Sequence, residues 1–400
     1  MHSANAMERI VISLIALIVF TIPLENVLVF SSPELEGTFS KIIGALTLAI
    51  AFFAIFVRQK IRSPHPLLAV LLIYVVWCAT SAAWSIEAGR TWEAVPTVFF
   101  LLIFTTLLWT FGKKSDVLLF WLNAYLAGML IAMISLYLNY FDFVPMVREY
   151  RYTGAQMNQN QMAYHLAVAA FLTYYLYLLP KSTFLTERAT FLVRLFAASA
   201  ILFASIAVLL TGSRSGTITL ASAAFGAMLA HGLKPKVIAF WTAFGFILIF
   251  SAQHIVPPDL VERILSGSEA STYVLRKTVW QEGLSVWTNT PFTGIGYGCY
   301  SLVTARGLVA HNTFISILVE TGLIGLAIII LFLSAVLYSA MRCSDSGRRL
   351  FVISLLMVWI FSQLAHSGEY NKITWFVFAI VLLVPKALTK SVKPEDKYNT

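Results

Sequence analysis

Residues 271–325 read STYVLRKTVWQEGLSVWTNTPFTGIGYGCYSLVTARGLVAHNTFISILVETGLIG, and this stretch divides the chain. Up to His311 it mixes charges, threonines and glycines; beyond Asn312 it becomes continuous apolar sequence. Most of the remaining 400 residues are apolar runs, so 257–311 is the one long segment unsuited to a lipid interior. Hydrophobic residues make up 59% of the chain and charged residues 12%, with a mean hydropathy of +0.80. No water-soluble core needs that much apolar surface, so the composition predicts an all-α polytopic membrane protein.

Working outward, a helix needs about 20 apolar residues to cross the hydrocarbon layer. That length predicts about twelve spans, near 10–30, 41–57, 66–83, 95–111, 117–140, 161–180, 191–211, 215–231, 237–256, 312–340, 349–366 and 372–388. The first is the least regular, because Pro23, Glu25 and Asn26 interrupt it. It reads as a retained helix, since no small-residue cleavage site follows. The domain plan is therefore nine helices in 1–256, a long periplasmic loop with short helices in 257–311, three helices in 312–388, and a polar cytoplasmic tail in 389–400.

The net charge of +9 would suggest a nucleic-acid partner in a soluble chain. Here the cations gather in short loops on one side, such as Lys113/Lys114, Lys234/Lys236 and Arg342/Arg348/Arg349. The positive-inside rule accounts for that bias, puts both termini in the cytoplasm and leaves no call for nucleic acid. The long loop then lies outside, with the turn 211–215 and the segment 142–160. A periplasmic site has no nucleotide at hand, so any activated substrate must arrive on a lipid carrier. The three cysteines, Cys78, Cys299 and Cys343, are scattered and predict no disulfide.

Cations on the outer face run against the charge bias and ask for a reason. Arg214 sits in TGSRSG, where a helix starts with its N-terminus outward. Amide donors, the positive dipole end and a guanidinium converge there, a suitable place for an anion such as a lipid diphosphate. The plainer reading is an arginine snorkelling at a membrane boundary. Arg276 and Lys277 precede Trp280 and Trp287; a guanidinium fork matches phosphate oxygens, while an interfacial helix meeting lipid headgroups is the alternative. His311 stands at the mouth of an outward-facing helix N-terminus, which disfavours the imidazolium, and a neutral imidazole can act as general base. A capping or interface histidine is its alternative. Gln156, Asn158 and Asn160 can donate and accept to sugar hydroxyls or diphosphate oxygens, with Arg151 a further anion ligand; a helix-capping role for Asn160 stands beside that. Glu320 reads as a structural hydrogen-bond node within its span, and Gly294, Gly296 and Gly298 as a tight turn rather than a nucleotide fingerprint. His254 and His366 lie near the outer face without motif context.

Together these residues resemble the O-antigen ligase/polymerase family of bacterial membrane glycosyltransferases. The matching pieces are Arg276/Trp280, then Pro291/Gly294/Gly296, then His311/Asn312/Phe314 with Glu320/Gly322/Gly325. Arg151 to Ala163 looks like the family's Arg…Gly…Asn-x-Asn segment. The resemblance implies transfer of a glycan from undecaprenyl diphosphate to the lipid A–core at the periplasmic face of the inner membrane. It also implies His311 and Arg276 as catalytic groups, Arg276 rather than Lys277 being the functional cation, and Asn312 as a substrate contact; Arg214 joins the catalytic groups on its own position at the helix start. There is no Asp-x-Asp, no His-Glu-x2-His and no ligand-spaced His/Cys cluster, so no metal or cofactor is expected and arginines neutralise the diphosphate. A polymerase acting on the same carrier is the near rival, although no Arg here is followed by Gly eleven positions on. A flippase, expected to carry ionisable groups deep in several spans, is the distant one.

Overall fold

The computed structural model describes residues 2–32, 35–58, 62–143, 151–179, 191–232, 235–265 and 270–387. Fourteen α-helices run through them. Before the long loop come α1 (His2–Thr21), α2 (Phe39–Arg58), α3 (Pro66–Thr80), α4 (Ala88–Phe111), α5 (Ser115–Tyr140), α6 (Gln159–Thr173), α7 (Phe191–Leu210), α8 (Arg214–His231) and α9 (Pro235–Ile255). The loop holds α10 (Pro258–Leu265) and α11 (Ala270–Trp287). After it follow α12 (Thr313–Met341), α13 (Ser346–Gln363) and α14 (Lys372–Ala387).

Each expected apolar run contains a helix. The first differs in its limits: α1 begins at His2 and ends at Thr21, not near residue 30. Pro23 cannot extend the amide ladder. The chain instead turns and forms an antiparallel hairpin, β1 (Val29–Ser32) and β2 (Leu35–Thr38), with Val29 opposite Thr38. Apart from that short hairpin, the regular structure of the described residues is helical, as the composition predicts. The tail beyond Lys390, and the basic residues Arg148, Lys181, Arg188 and Lys234, lie outside the described residues.

Among the described residues, α1, α3, α4, α5, α7, α9 and α12 are long and apolar enough to cross a membrane, and α2 and α14 contain shorter apolar helices. The chain is a helical multi-pass membrane protein. Large side chains such as Phe52, Phe56, Phe100, Phe246 and Phe250 are exposed on its flanks, as a lipid-facing surface requires. Helices α6, α8 and α13 are more polar because they face other helices. Met162–Leu172 of α6 are all buried, and α8 packs against both α6 and α13. Small residues set these contacts: a Cβ on Gly216 would lie 2.3 Å from that of Ala163, and one on Gly226 2.5 Å from that of Ser354.

One end of the bundle collects the connections that matter. Tyr140 donates its hydroxyl to the Ile255 carbonyl at 2.6 Å, and the Tyr152 amide bonds to Leu210 O at 3.2 Å. Asn312 Nδ2 donates to Leu364 O at 3.0 Å. The turn after α1 joins the same end, through a Lys372–Glu25 ion pair and a 3.2 Å bond from Asn26 Nδ2 to Gln156 O.

Candidate active site

The site begins with a break in α12. Gly322, at φ 68° and ψ −172°, interrupts the helix, and an interruption inside a membrane bundle exposes backbone groups that lipid cannot satisfy. The long loop satisfies them. Leu323 N donates to Pro291 O at 2.9 Å and Ile324 N to Phe292 O at 3.3 Å, while Ile295 N and Gly296 N each donate at 3.0 Å to Val319 O and Glu320 O. The indole of Trp77 supplies Thr321 O at 2.9 Å. No side chain fits this seam: a Cβ on Gly322 would lie 2.1 Å from Phe292 O, and one on Gly294 2.5 Å from the Glu320 carbonyl. Glu320 fastens the other side, accepting from Tyr300 N at 3.1 Å and from the Tyr370 hydroxyl at 2.5 Å. It is the structural node its burial required, and the glycine turn is a docking edge.

Docking the loop places α11. Trp280 Nε1 donates to Ala310 O at 2.7 Å, and the Tyr300 hydroxyl to Val279 O at 3.0 Å. Arg276 is one helical turn before Trp280 on the same face, so it comes to rest beside His311. Lys277, next in sequence, points outward and is exposed. His311 takes a left-handed backbone, φ 49°, which turns the chain into Asn312, the N-cap of α12. Asn312 Oδ1 accepts from Phe314 N at 3.0 Å and Ile315 N at 3.1 Å, and its amide is bonded to Leu364 O. Its side chain thus caps α12 and ties it to the end of α13.

The third component is the turn before α8. Gly212, at φ 59°, leads to Ser213, whose hydroxyl caps the helix by accepting from Gly216 N at 3.1 Å. Arg214 is the first residue of α8. Its Nε donates to Arg263 O at 2.7 Å, and Arg263 Nε donates to Gly212 O at 3.3 Å. From the other side Arg151 donates to Thr211 O at 2.8 Å and to Asn160 Oδ1 at 3.1 Å. The Ser213 hydroxyl bonds to that same oxygen at 2.8 Å. Asn160 therefore ties Arg151 to the turn, and the α6 cap is Asn158, which accepts from Asn160 N at 3.0 Å. Asn158 and Gln156 are exposed, Gln156 in a left-handed conformation with φ 52°.

Electrostatics joins the parts. Burial, then Arg214 and Arg263, lowers the Arg276 guanidinium below its usual range, though it stays charged. Burial, then Arg276, lowers the His311 imidazole, so its neutral form prevails. His366 is lowered to about 4 by burial, His311 and Arg276. Arg276 is thus the hub, near enough to Arg214, Arg263, His311 and His366 to act on or feel each of them.

Residues 198–330, which include Arg214, Arg276, His311 and the Gly322 seam, match the family model described as O-antigen ligase. That part of the chain is similar to the O-antigen ligase family. Over 235 residues, 54% of this chain, the protein is 25% identical to the exopolysaccharide production protein ExoQ of Rhizobium meliloti (strain 1021). The match covers 53% of that relative, so the chain spans about half its length.

Two members of the cluster were not singled out from sequence. Arg263 is a lone cation on the short helix α10 and acquires its partners only when α10 folds onto Gly212. Its place on the face opposed to the basic loops was the available signal. His366 lies in the turn after α13 and is brought beside His311 by the Asn312–Leu364 contact. Near it Glu369 is buried and pushed up to about 8, by burial first and Glu320 second. Neither of its carboxylate oxygens meets hydrogen-bond geometry with a described residue, although the Thr313 and Ser316 hydroxyls lie near.

Proposed function

We propose that the chain transfers O-antigen glycan from undecaprenyl diphosphate to a lipid A–core oligosaccharide. In this reading it has twelve spans in the bacterial inner membrane and cytoplasmic termini, and its site is periplasmic and independent of metal. The observation that carries it is the gathering of Arg214 and Arg276 with His311, which is kept neutral. His311 takes the proton of the acceptor hydroxyl. The hydroxyl oxygen forms a bond to the anomeric carbon, and the bond from that carbon to the phosphate oxygen breaks with its electron pair passing to the diphosphate. Attack opposite the leaving group inverts the anomeric centre. Arg214 and Arg276 stabilise the departing charge, the kind of interaction that is strongest in the transition state. Arg151 is a further anion ligand, held by Asn160 at the edge of the turn. Gln156, Asn158 and Lys277, all exposed at this end, are the substrate contacts left to the glycan and headgroups.

Purified protein supplied with both lipids should form the joined product in the presence of a chelator. His311→Ala should lower transfer on the order of 100-fold with the fold intact; wild-type rates in that variant would remove the base. The name of the relative, an exopolysaccharide production protein, favours a second reading as a polymerase. Elongation of the donor without any lipid A–core acceptor would establish that reading instead.

A further inference from the structure

The diphosphate site above draws on Arg214 and Arg276, with Arg151 at the edge of the turn, yet another guanidinium, Arg263, is built into the same turn. Its Nε donates to Gly212 O at 3.3 Å, and its own carbonyl receives Arg214 Nε at 2.7 Å. Helix α10 reaches this position because Gly212 has no Cβ: one would lie 2.8 Å from Leu260 Cδ2 and 3.4 Å from Arg263 Cδ. Leu260 is buried there, which anchors the helix. Arg276, arriving from α11, is near enough to feel both Arg214 and Arg263. Three cations held together repel, and an anion placed among them relieves the repulsion.

Charge counting says which anion. A diphosphate esterified at both ends, to lipid and to glycan, carries two negative charges. When the glycan leaves, its oxygen stays with the phosphate and a third charge develops. A cation added at the same turn as Arg214 meets the charge that appears during departure, which the bound donor does not yet carry. Resting on the reading of this site as a glycosyl-transfer centre, we propose that Arg263 is a further ligand of the leaving lipid diphosphate, while its backbone carbonyl aims Arg214.

The test uses the full-length protein in detergent, with lipid-diphosphate glycan as donor, lipid A–core as acceptor and inorganic pyrophosphate as competing probe. Arg263→Ala should lower kcat at least about tenfold with a smaller change in donor KM. It should also raise the pyrophosphate concentration for half-inhibition at least about fivefold. Arg263→Lys, which keeps the charge, should recover much of both. A structural role alone would lower the unfolding temperature and leave pyrophosphate sensitivity as in the wild type, and that result overturns the proposal. Should the alanine variant not fold, Arg263→Gln against Arg263→Lys gives the same comparison, and equal pyrophosphate sensitivity in the two sinks it. Arg214→Ala and Arg276→Ala separate the failures. If they lose activity while Arg263→Ala keeps wild-type kcat, Arg263 alone is wrong; if all three keep it, the site reading falls.

Discussion

His311 can serve as a base only while neutral, and its setting fixes the pH range in which that holds. Burial and Arg276 lower its pKa below the ordinary 6.5, so transfer should survive below pH 6.5 and be lost as pH falls through the shifted value. The acid limb of kcat/KM is expected below 6.5. In Arg276→Gln it should move up towards, but not reach, 6.5, because burial, the larger cause, remains. Carbethoxylation of His311 against pH reads the same limb where transfer is too slow, and a limb at or above 6.5 in the wild type would contradict the assignment. His366, lowered to about 4 chiefly by burial, is neutral at neutral pH. Asn312 provides a contrast, since its role is the cap. Asn312→Ala should cost about 1 kcal/mol of stability and leave donor KM unchanged, with Asn312→Ser recovering most of the loss in thermal unfolding; a raised KM at unchanged stability would return it to the substrate. Sequence showed the charges at Arg214, Arg276 and His311 because each sits where a cation or imidazole is out of place. It could not show that Asn312 and Asn160 are already committed, since their partners at Leu364, Arg151 and Ser213 are far apart in the chain.

At the scale of elements, the twelve apolar runs were legible because lipid demands continuous apolar length, and each became a helix. What pattern alone could not reveal is the break at Gly322, since Leu323 to Leu333 continues the apolar run as if nothing had happened. The break exists because backbone from Pro291 to Gly296 substitutes for the missing helical partners, a contact between segments some thirty residues apart. The α1 boundary was misread for a related reason: residues 27–30, Val-Leu-Val-Phe, suit a strand as well as a helix, and Pro23 decided between them. The seam makes a sharp prediction. Gly322→Ala places a methyl group 2.1 Å from Phe292 O at a φ that L-residues avoid. It should cost more than about 1 kcal/mol and undock the loop, exposing the amides of Ile295 and Gly296 to hydrogen exchange. Because Trp280 and Ala310 hang on that docked loop, transfer should fall even though no catalytic side chain has changed; exchange protection as in the wild type would show that the seam does not hold the loop.

Across the whole molecule, the sequence-distant turns that carry the proposed chemistry meet at one end of the bundle, and the mechanism requires that end to face away from the cytosol. Two exposed lysine and arginine positions test this. Arg306 lies in the long loop at the site end, whereas Lys113, in the turn between α4 and α5, lies at the other. With Cys343, in the turn after α12, replaced by serine, the remaining Cys78 and Cys299 are buried and contribute little background. In cells with a permeabilised outer membrane, a membrane-impermeant maleimide should label Arg306→Cys at once. Lys113→Cys should label only after the inner membrane is opened. The reverse pattern would put the guanidinium cluster beside cytoplasmic nucleotide sugars. A lipid-borne donor would then be unnecessary, and the charge argument for a leaving lipid diphosphate would lose its premise. The same labelling fixes the parity of the crossings between those turns: opposite reactivity at Lys113 and Arg306 requires an odd number of spans, so α6 and α8, the two more polar helices, either both cross with α5, α7 and α9 or both do not.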